Sequence, residues 1–195
     1  MSRSDARDEL VASYSNAVGV LHQVRADQVS NPTPCHDFDV ASLIDHMVGA
    51  AWRAAALGRG EAPTNDGFEH VDLKDAAGEL EKARIDAMAA WADEASLSAT
   101  VPMPWGETYD GAMLVNMYLA ELAAHAWDLA VATGGESVLD PSLAKPALEA
   151  ARAMLKPEYR NAMGPGNPFG SEVEVPSTAS EWEHFAGFMG RKPLG

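Results

Sequence analysis

Glu121 and His125 are two residues whose types and spacing could bind a cation. They lie four residues apart in the segment 114–129, where apolar residues recur at helical spacing. At this spacing two side chains project from one face of a helix, one turn apart, and can share a metal ion. A carboxylate that faces a protein core is costly unless it is paired or bound to a metal. Two ligands do not complete a metal site, so a third must come from another element.

His46 is the best candidate for the third ligand. It lies off the centre of the apolar face of a predicted helix that begins at Val40. The flanks of helices meet in the crevices of a bundle, where metal sites are commonly built. His46, Glu121 and His125 would form the His₂Glu set of an open zinc site, with one position left for water or substrate. The alternative is that both histidines are packed or solvated residues and that Glu121 is an ordinary polar residue of the helix.

Cys35 and Asp128 each have two interpretations. Cys35 is the only thiol and precedes the second helix, so it could be a reactive group or a fourth ligand. The interpretation as a small buried residue that fixes its loop is preferred. Asp128 could orient a metal-binding histidine or could pair at the helix surface. Trp105 and Gly106 form either a loop over the site or a simple turn. Three further histidines show no ligand spacing and are expected at the surface: His22, His70 and His184.

The elements that must position these residues are helical. Alanine is abundant, apolar residues recur three and four apart, and period-two runs of Val and Ile are nearly absent. Segments 30–38 and 100–106 contain prolines that exclude a helix interior. The pattern predicts four long helices over 4–26, 40–57 with Asp39 as its N-cap, 73–94 and 112–133. It also predicts a fifth helix over 141–156 and a short helix over 180–189.

Four long helices joined by short-to-medium connections predict an all-α four-helix bundle. We expect residues 1–156 to form the bundle, which would be the metal-binding part of the chain. Residues 157–195 are expected to form a short C-terminal extension packed against it.

Composition and charge exclude several classes of partner. The 195 residues include 14 basic and 29 acidic side chains, a net charge of −15. Nucleic acids and anionic membranes attract proteins with a positive field, so neither is expected as a partner. A single cysteine cannot close an internal disulfide, which favours a reducing compartment. No signal peptide is visible, and no apolar stretch approaches the ~20 residues that span a bilayer. These features predict a soluble, cytoplasmic protein.

Two stretches of the sequence resemble an actinobacterial metal-binding family. Residues 31–40, with Leu43 and His46, are similar to its PTPC-x-D-W-x-V-x-x-L-x-x-H pattern, and residues 121–134 are similar to its E-x-x-x-H-x-W-D-L-A-x-x-T-G helix. Residues 104–106 and 188–193 also fit the family. Its relatives are the metal-binding domain of mycothiol-dependent maleylpyruvate isomerase and, more distantly, the DinB-like four-helix bundles.

The resemblance implies a DinB-like fold and a divalent metal, usually zinc, held by the residues that match His46, Glu121 and His125. Phe38 stands where the family usually has tryptophan, which is a conservative change in packing. We expect no separate C-terminal domain of the kind that the isomerase carries.

The residues and the resemblance together lead to three hypotheses of function. The first is a zinc-dependent S-transferase or isomerase that uses a mycothiol-type thiol. Zinc held by two neutral histidines and one glutamate keeps a net positive charge, which would stabilise a thiolate in the open position. Its partners would be a small-molecule thiol and an unidentified electrophilic substrate, and a homodimer is left open. The second is a non-catalytic metal-binding or stress-response module with structural zinc, and the third is hydrolysis by metal-activated water. No catalytic side chain is assigned.

Overall fold

Seven α-helices and one two-stranded hairpin make up the part of the chain that the structure describes. The structure is a computed structural model, and it describes residues 6–62, 69–103, 106–160 and 170–192. The helices are α1 (Ala6–Leu21), α2 (Val40–Gly58), α3 (Leu73–Ala90), α4 (Glu94–Ser98), α5 (Gly111–Thr133), α6 (Ala144–Met154) and α7 (Glu181–Phe188). The hairpin pairs strand β1 (Thr100–Pro102) with strand β2 (Thr108–Asp110) in antiparallel register. Short 3₁₀ turns cover Ala26–Gln28, Glu136–Val138 and Pro157–Tyr159.

Helices α1, α2, α3 and α5 form the predicted bundle. Helices α1 and α2 each pack against both α3 and α5, so the four enclose one apolar core. Each contributes side chains that are fully buried there, such as Met47 from α2 and Leu119 from α5. The hydroxyl of Tyr14 on α1 donates a hydrogen bond across this core to the carbonyl of Ala51 on α2 (2.7 Å). The prediction of an all-α, DinB-like four-helix bundle is confirmed, with a small hairpin in addition.

Helix α5 is buried on nearly all sides because α1, α2 and α6 pack around it. It begins where the carboxylate of Asp110 accepts a hydrogen bond from the backbone N–H of Met113 (2.8 Å), which makes Asp110 its N-cap. It ends at Gly134, whose φ of 71° lies in the left-handed region that glycine adopts without strain. The helix predicted over 112–133 is therefore confirmed to within one residue. Two of its polar side chains, His125 and Asp128, are buried inside the protein.

Helix α2 also follows its prediction. Asp39 is the N-cap, and its carboxylate accepts a hydrogen bond from the backbone N–H of Ser42 (2.8 Å). The connection before it is anchored because the N–H of Val40 donates to the carbonyl of Asn31 (3.0 Å). This start fixes the rotation of α2 about its own axis. It therefore sets the direction in which the side chains of its second turn point.

Two predicted helix ends are wrong because tertiary contacts end the helices early. Helix α1 was expected to reach residue 26 but ends at Leu21, and the chain turns so that the side chain of Gln28 donates to the carbonyl of Thr133 on α5 (2.9 Å). Helix α3 was expected to reach residue 94 but ends at Ala90. The indole N–H of the next residue, Trp91, donates to the carbonyl of Ala54 on α2 (3.0 Å).

The start of α6 and the hairpin also differ from the predictions. Helix α6 begins at Ala144 rather than at residue 141, because the carboxylate of Asp140 accepts from the N–H of Ser142 (2.8 Å) in a preceding turn. The segment 100–106 was predicted only as an interruption. Its first three residues form β1, a strand too short to produce a period-two pattern. Pro104 and Trp105 lie outside the described residues.

The described part of the C-terminal extension packs on the bundle through α7, which contacts α6 and α5. The indole N–H of Trp182 donates to the carbonyl of Asp140 (3.1 Å), and Phe185 is fully buried. A side chain at Gly187 would approach the carbonyl oxygen of Val173 to 2.7 Å, so only glycine allows these two backbone segments to lie this close. The division of the chain at residues 156 and 157 stays a prediction. None of the described helices has the length and apolar character needed to cross a membrane.

Candidate metal centre

The structure brings His46, Glu121 and His125 together at the contact between α2 and α5. The Nε2 atom of His46 lies 2.8 Å from Oε1 of Glu121, although the two residues are 75 positions apart in the chain. The Nε2 atom of His125 lies 3.4 Å from the same oxygen. One nitrogen from each histidine and one carboxylate oxygen all lie within 4.8 Å of one another. The sequence therefore identified three side chains that do converge.

The three side chains differ in their exposure to solvent. His125 is 4% exposed, whereas His46 and Glu121 are each 23% exposed. The imidazole rings of the two histidines are 4.8 Å apart and nearly perpendicular, at 81°. The cluster is thus closed around His125 and open on the side of His46 and Glu121. A small molecule could reach it from that side.

The charged groups of the cluster shift one another's pKa values. Burial raises the pKa of Glu121, but the two histidines outweigh this and hold the pKa well below its usual range. Burial lowers the pKa of His125, but the carboxylates of Glu121 and Asp128 outweigh this and raise it to about 9. In the metal-free protein a proton on His125 therefore balances the charge of Glu121. A bound metal ion would take the place of that proton.

Asp128 orients the ring of His125. Its Oδ2 atom lies 3.1 Å from Nδ1 of His125, and because a carboxylate only accepts hydrogen bonds, Nδ1 carries the proton. This arrangement directs the other ring nitrogen, Nε2, toward Glu121. Asp128 is fully buried, so the alternative of a pair at the helix surface is wrong. Such a carboxylate–histidine bond commonly fixes the tautomer of a metal-binding histidine.

Arg191 also lies near this cluster, although its role at the site was not predicted from the sequence. Its guanidinium lies against both carboxylate oxygens of Asp128, at 3.2–3.3 Å. The sequence shows only a short basic run at Arg191 and Lys192, too short to indicate nucleic-acid binding. No local spacing connects Arg191 with Asp128, because 63 residues separate them.

Phe38 and Cys35 cover the cluster from the loop that precedes α2. The ring of Phe38 lies 4.9 Å from that of His46 and 6.3 Å from that of His125. The residue that replaces the family's usual tryptophan therefore packs directly on both histidines. Burial raises the pKa of the Cys35 thiol to about 11, so the thiol is protonated at neutral pH.

Cys35 belongs to a second group whose ligand atoms lie within 4.8 Å of one another, together with His125 and Asp128. This group suits a metal less well than the first. Its carboxylate is already bonded to Arg191, and both Cys35 and Asp128 are buried. The buried position of Cys35 agrees with the interpretation as a packed loop residue.

The other histidines that the sequence placed at the surface lie away from these groups. His22 and His70 are exposed, and His184 is half-buried. The ring of His70 contacts the carboxylate of Asp45 (3.2 Å). Within the described ranges, none of the three belongs to a group of metal-binding side chains. Pro193, which belongs to the C-terminal part of the resemblance, lies outside the described residues.

The fold and the cluster define a class: a DinB-like helical bundle with two histidines and a glutamate that could hold a metal ion. Comparison with known sequences then identifies the family. The sequence model of the mycothiol maleylpyruvate isomerase N-terminal domain matches residues 14–130. The chain belongs to this family. The matched range includes His46, Glu121, His125 and Asp128 but ends well before Arg191.

Two relatives extend the similarity over almost the whole chain. They are uncharacterised proteins from Mycobacterium tuberculosis strains CDC 1551 and H37Rv. Each is 33% identical over 196 residues, which covers 98% of this chain and 96% of the relative. The similarity to these proteins therefore includes the C-terminal extension, beyond the part that the family model covers.

Proposed function

We propose that this protein binds one divalent metal ion, zinc, through His46, Glu121 and His125, and uses it in an S-transferase or isomerase reaction of a mycothiol-type thiol. The observation that carries the proposal is the convergence of two imidazole nitrogens on one carboxylate oxygen. Membership of the mycothiol maleylpyruvate isomerase N-terminal domain family supports the choice of thiol. The electrophilic substrate and a homodimer stay predictions.

The donor set fits zinc. Two neutral imidazoles and one carboxylate are a common set of three protein ligands in zinc sites that keep a position for water or substrate. The three donors contribute one negative charge, so a zinc ion held by them keeps a net positive charge. When bound, zinc would lower the pKa of a thiol that occupies the remaining position and so supply a thiolate at neutral pH.

The surrounding residues would bind and orient rather than transfer protons. Asp128 holds His125 so that Nε2 points toward Glu121. Phe38 packs on both histidines and would exclude water from that side of the centre. His46 and Glu121 lie at the partly exposed edge, which is the side from which a thiol could enter. Cys35 is buried, and its thiol is grouped with His125 and Asp128 rather than with His46 and Glu121.

Cobalt substitution tests the proposal, since thiolate bound to cobalt absorbs in the near ultraviolet. Mercaptoethanol should produce this sulfur-to-cobalt band in the cobalt-loaded protein, and glycerol, which has no thiol, should not. The Cys35→Ser variant is the matched control, because it removes the only internal thiol. The band should appear in it as in the unaltered protein. A cobalt spectrum that is indifferent to mercaptoethanol would overturn the thiol-dependent reaction and favour a structural metal.

A further inference from the structure

Arg191 of the C-terminal extension is built into the interior beside the metal centre. Its side chain is 5% exposed and that of Asp128 is 0% exposed, so this ion pair is withdrawn from water. The Nε atom of Arg191 lies 3.3 Å from each oxygen of Asp128, and Nη2 lies 3.2 Å from Oδ2. The remaining terminal nitrogen, Nη1, donates to the carbonyl of Met189 (3.1 Å). The guanidinium thus holds Asp128 from two of its nitrogens while a third fixes its own position.

The turn after α7 aims Arg191 at this point. Gly190 has a φ of 80°, and a side chain there would approach the carbonyl oxygen of Gly170 to 2.9 Å. The backbone N–H of Arg191 then donates to the carbonyl of Ala186 (2.9 Å), which closes the end of the helix. Met189, just before the turn, is 1% exposed and anchors it in the core. The position of the guanidinium is therefore set by backbone and packing.

A continuous chain of contacts leads from this turn to the candidate metal ligands. Arg191 contacts Asp128, Asp128 accepts from Nδ1 of His125, and Nε2 of His125 faces Glu121. We propose that Arg191 is a positioning residue of the metal centre, which fixes the ring of His125 by holding Asp128. For its effect on metal affinity this inference rests on the proposed function. Side chains in such outer positions typically change metal affinity about 10- to 100-fold when replaced.

A merely structural ion pair would behave differently. If Arg191 only fastened the extension to α5, its loss would destabilise the protein and leave the intrinsic affinity of the centre for zinc unchanged. If it acts through Asp128, the two residues share one effect, and replacing both should cost little more affinity than replacing either one. Zinc affinity in a double-mutant cycle therefore separates the two roles.

The experiment measures zinc affinity by competition with a chelator in the full-length protein. Arg191→Ala should weaken zinc binding about 10- to 100-fold. Arg191→Lys keeps the charge without the planar fork and should recover part of the loss. Lys192→Ala removes the neighbouring exposed cation and should leave the affinity unchanged. The double variant with Arg191→Ala and Asp128→Asn should bind zinc at most about twofold more weakly than the single variant with the lower zinc affinity, as expected for one shared interaction.

A second measurement is independent of zinc. In the metal-free protein the Nδ1 proton of His125 should be visible by NMR as a slowly exchanging signal, and it should exchange faster in Arg191→Ala. If Arg191→Ala does not fold, Arg191→Lys, which keeps a buried cation, takes its place in this measurement. The exchange in Arg191→Lys should be intermediate. Zinc binding that is unchanged in the Arg191 variants, or full additivity with Asp128→Asn, would overturn the inference while leaving the proposed function intact. An unaltered protein that binds no zinc would overturn the proposed function, and the His125 signal would still decide the inference.

Discussion

Glu121 is the residue on which the candidate centre depends, because one of its oxygens faces both histidines. The distances from this oxygen are 2.8 Å to Nε2 of His46 and 3.4 Å to Nε2 of His125. The histidines lower the pKa of Glu121, and Glu121 helps to raise that of His125 to about 9. A proton therefore occupies the cluster in the metal-free protein, and a divalent cation would displace it.

At the same scale, Cys35 provides a prediction that separates packing from ligation. The Cys35→Ser variant should keep its zinc, since it leaves the three proposed ligands in place and the neighbouring carboxylate of Asp128 is held by Arg191. It should lose about 1–3 kcal/mol in free energy of unfolding if the new buried hydroxyl finds no partner. Zinc content by elemental analysis and unfolding in urea measure the two effects. Loss of zinc from this variant would make sulfur a ligand.

The sequence could predict the three candidate ligands because their spacing is visible within single helices. Glu121 and His125 are one turn apart on α5, and His46 lies on the flank of α2. It could not predict Arg191, whose position depends on a turn at Gly190 and on how α7 packs. It left two interpretations of Asp128 open, because burial depends on all the helices that enclose α5.

At the scale of elements, α2 and α5 carry the candidate ligands, and each begins at an aspartate N-cap. Replacing the cap of α5, Asp110→Ala, should lower the free energy of unfolding by about 1 kcal/mol because the N–H of Met113 loses its partner. Zinc content should be unchanged, since Glu121 lies in the third turn of the helix. Urea unfolding and elemental analysis are the measurements.

Asp93→Ala is the matched control for this prediction. Asp93 caps α4, a five-residue helix with no buried residue, so its replacement should cost less than that of Asp110. If Asp110→Ala were as stable as the unaltered protein but bound no zinc, the prediction that Asp110 affects only the stability of α5 would be wrong.

The helices that the sequence predicted best are those with local start and stop signals. Asp39 and Asp110 are local caps, and Gly134 is a local stop. The end of α3 depends instead on the bond from the indole of Trp91 to α2, which is not a local signal. The hairpin was not predicted because strands of three residues are too short to show a period-two pattern of apolar residues.

At the scale of the whole molecule, the bundle has a continuous apolar core to which every long helix contributes. Its stability therefore should not depend on the metal, unlike that of small domains that fold around zinc. Removal of zinc with EDTA should leave the helical far-ultraviolet circular dichroism spectrum in place and lower the melting temperature only modestly. Cooperative unfolding of the protein on chelation would favour a structural role for the metal.

The most direct test is the zinc content of the purified protein, measured by elemental analysis after incubation with zinc and removal of the excess. A site with three protein ligands should retain about one zinc ion per chain. The His125→Ala variant should retain almost none, because it removes one of the three ligands. A control variant, His36→Ala, replaces an exposed histidine in the loop before α2 and should retain as much zinc as the unaltered protein. An unaltered protein without zinc, or a His125→Ala variant that keeps it, would contradict the assignment of His46, Glu121 and His125 as the metal ligands.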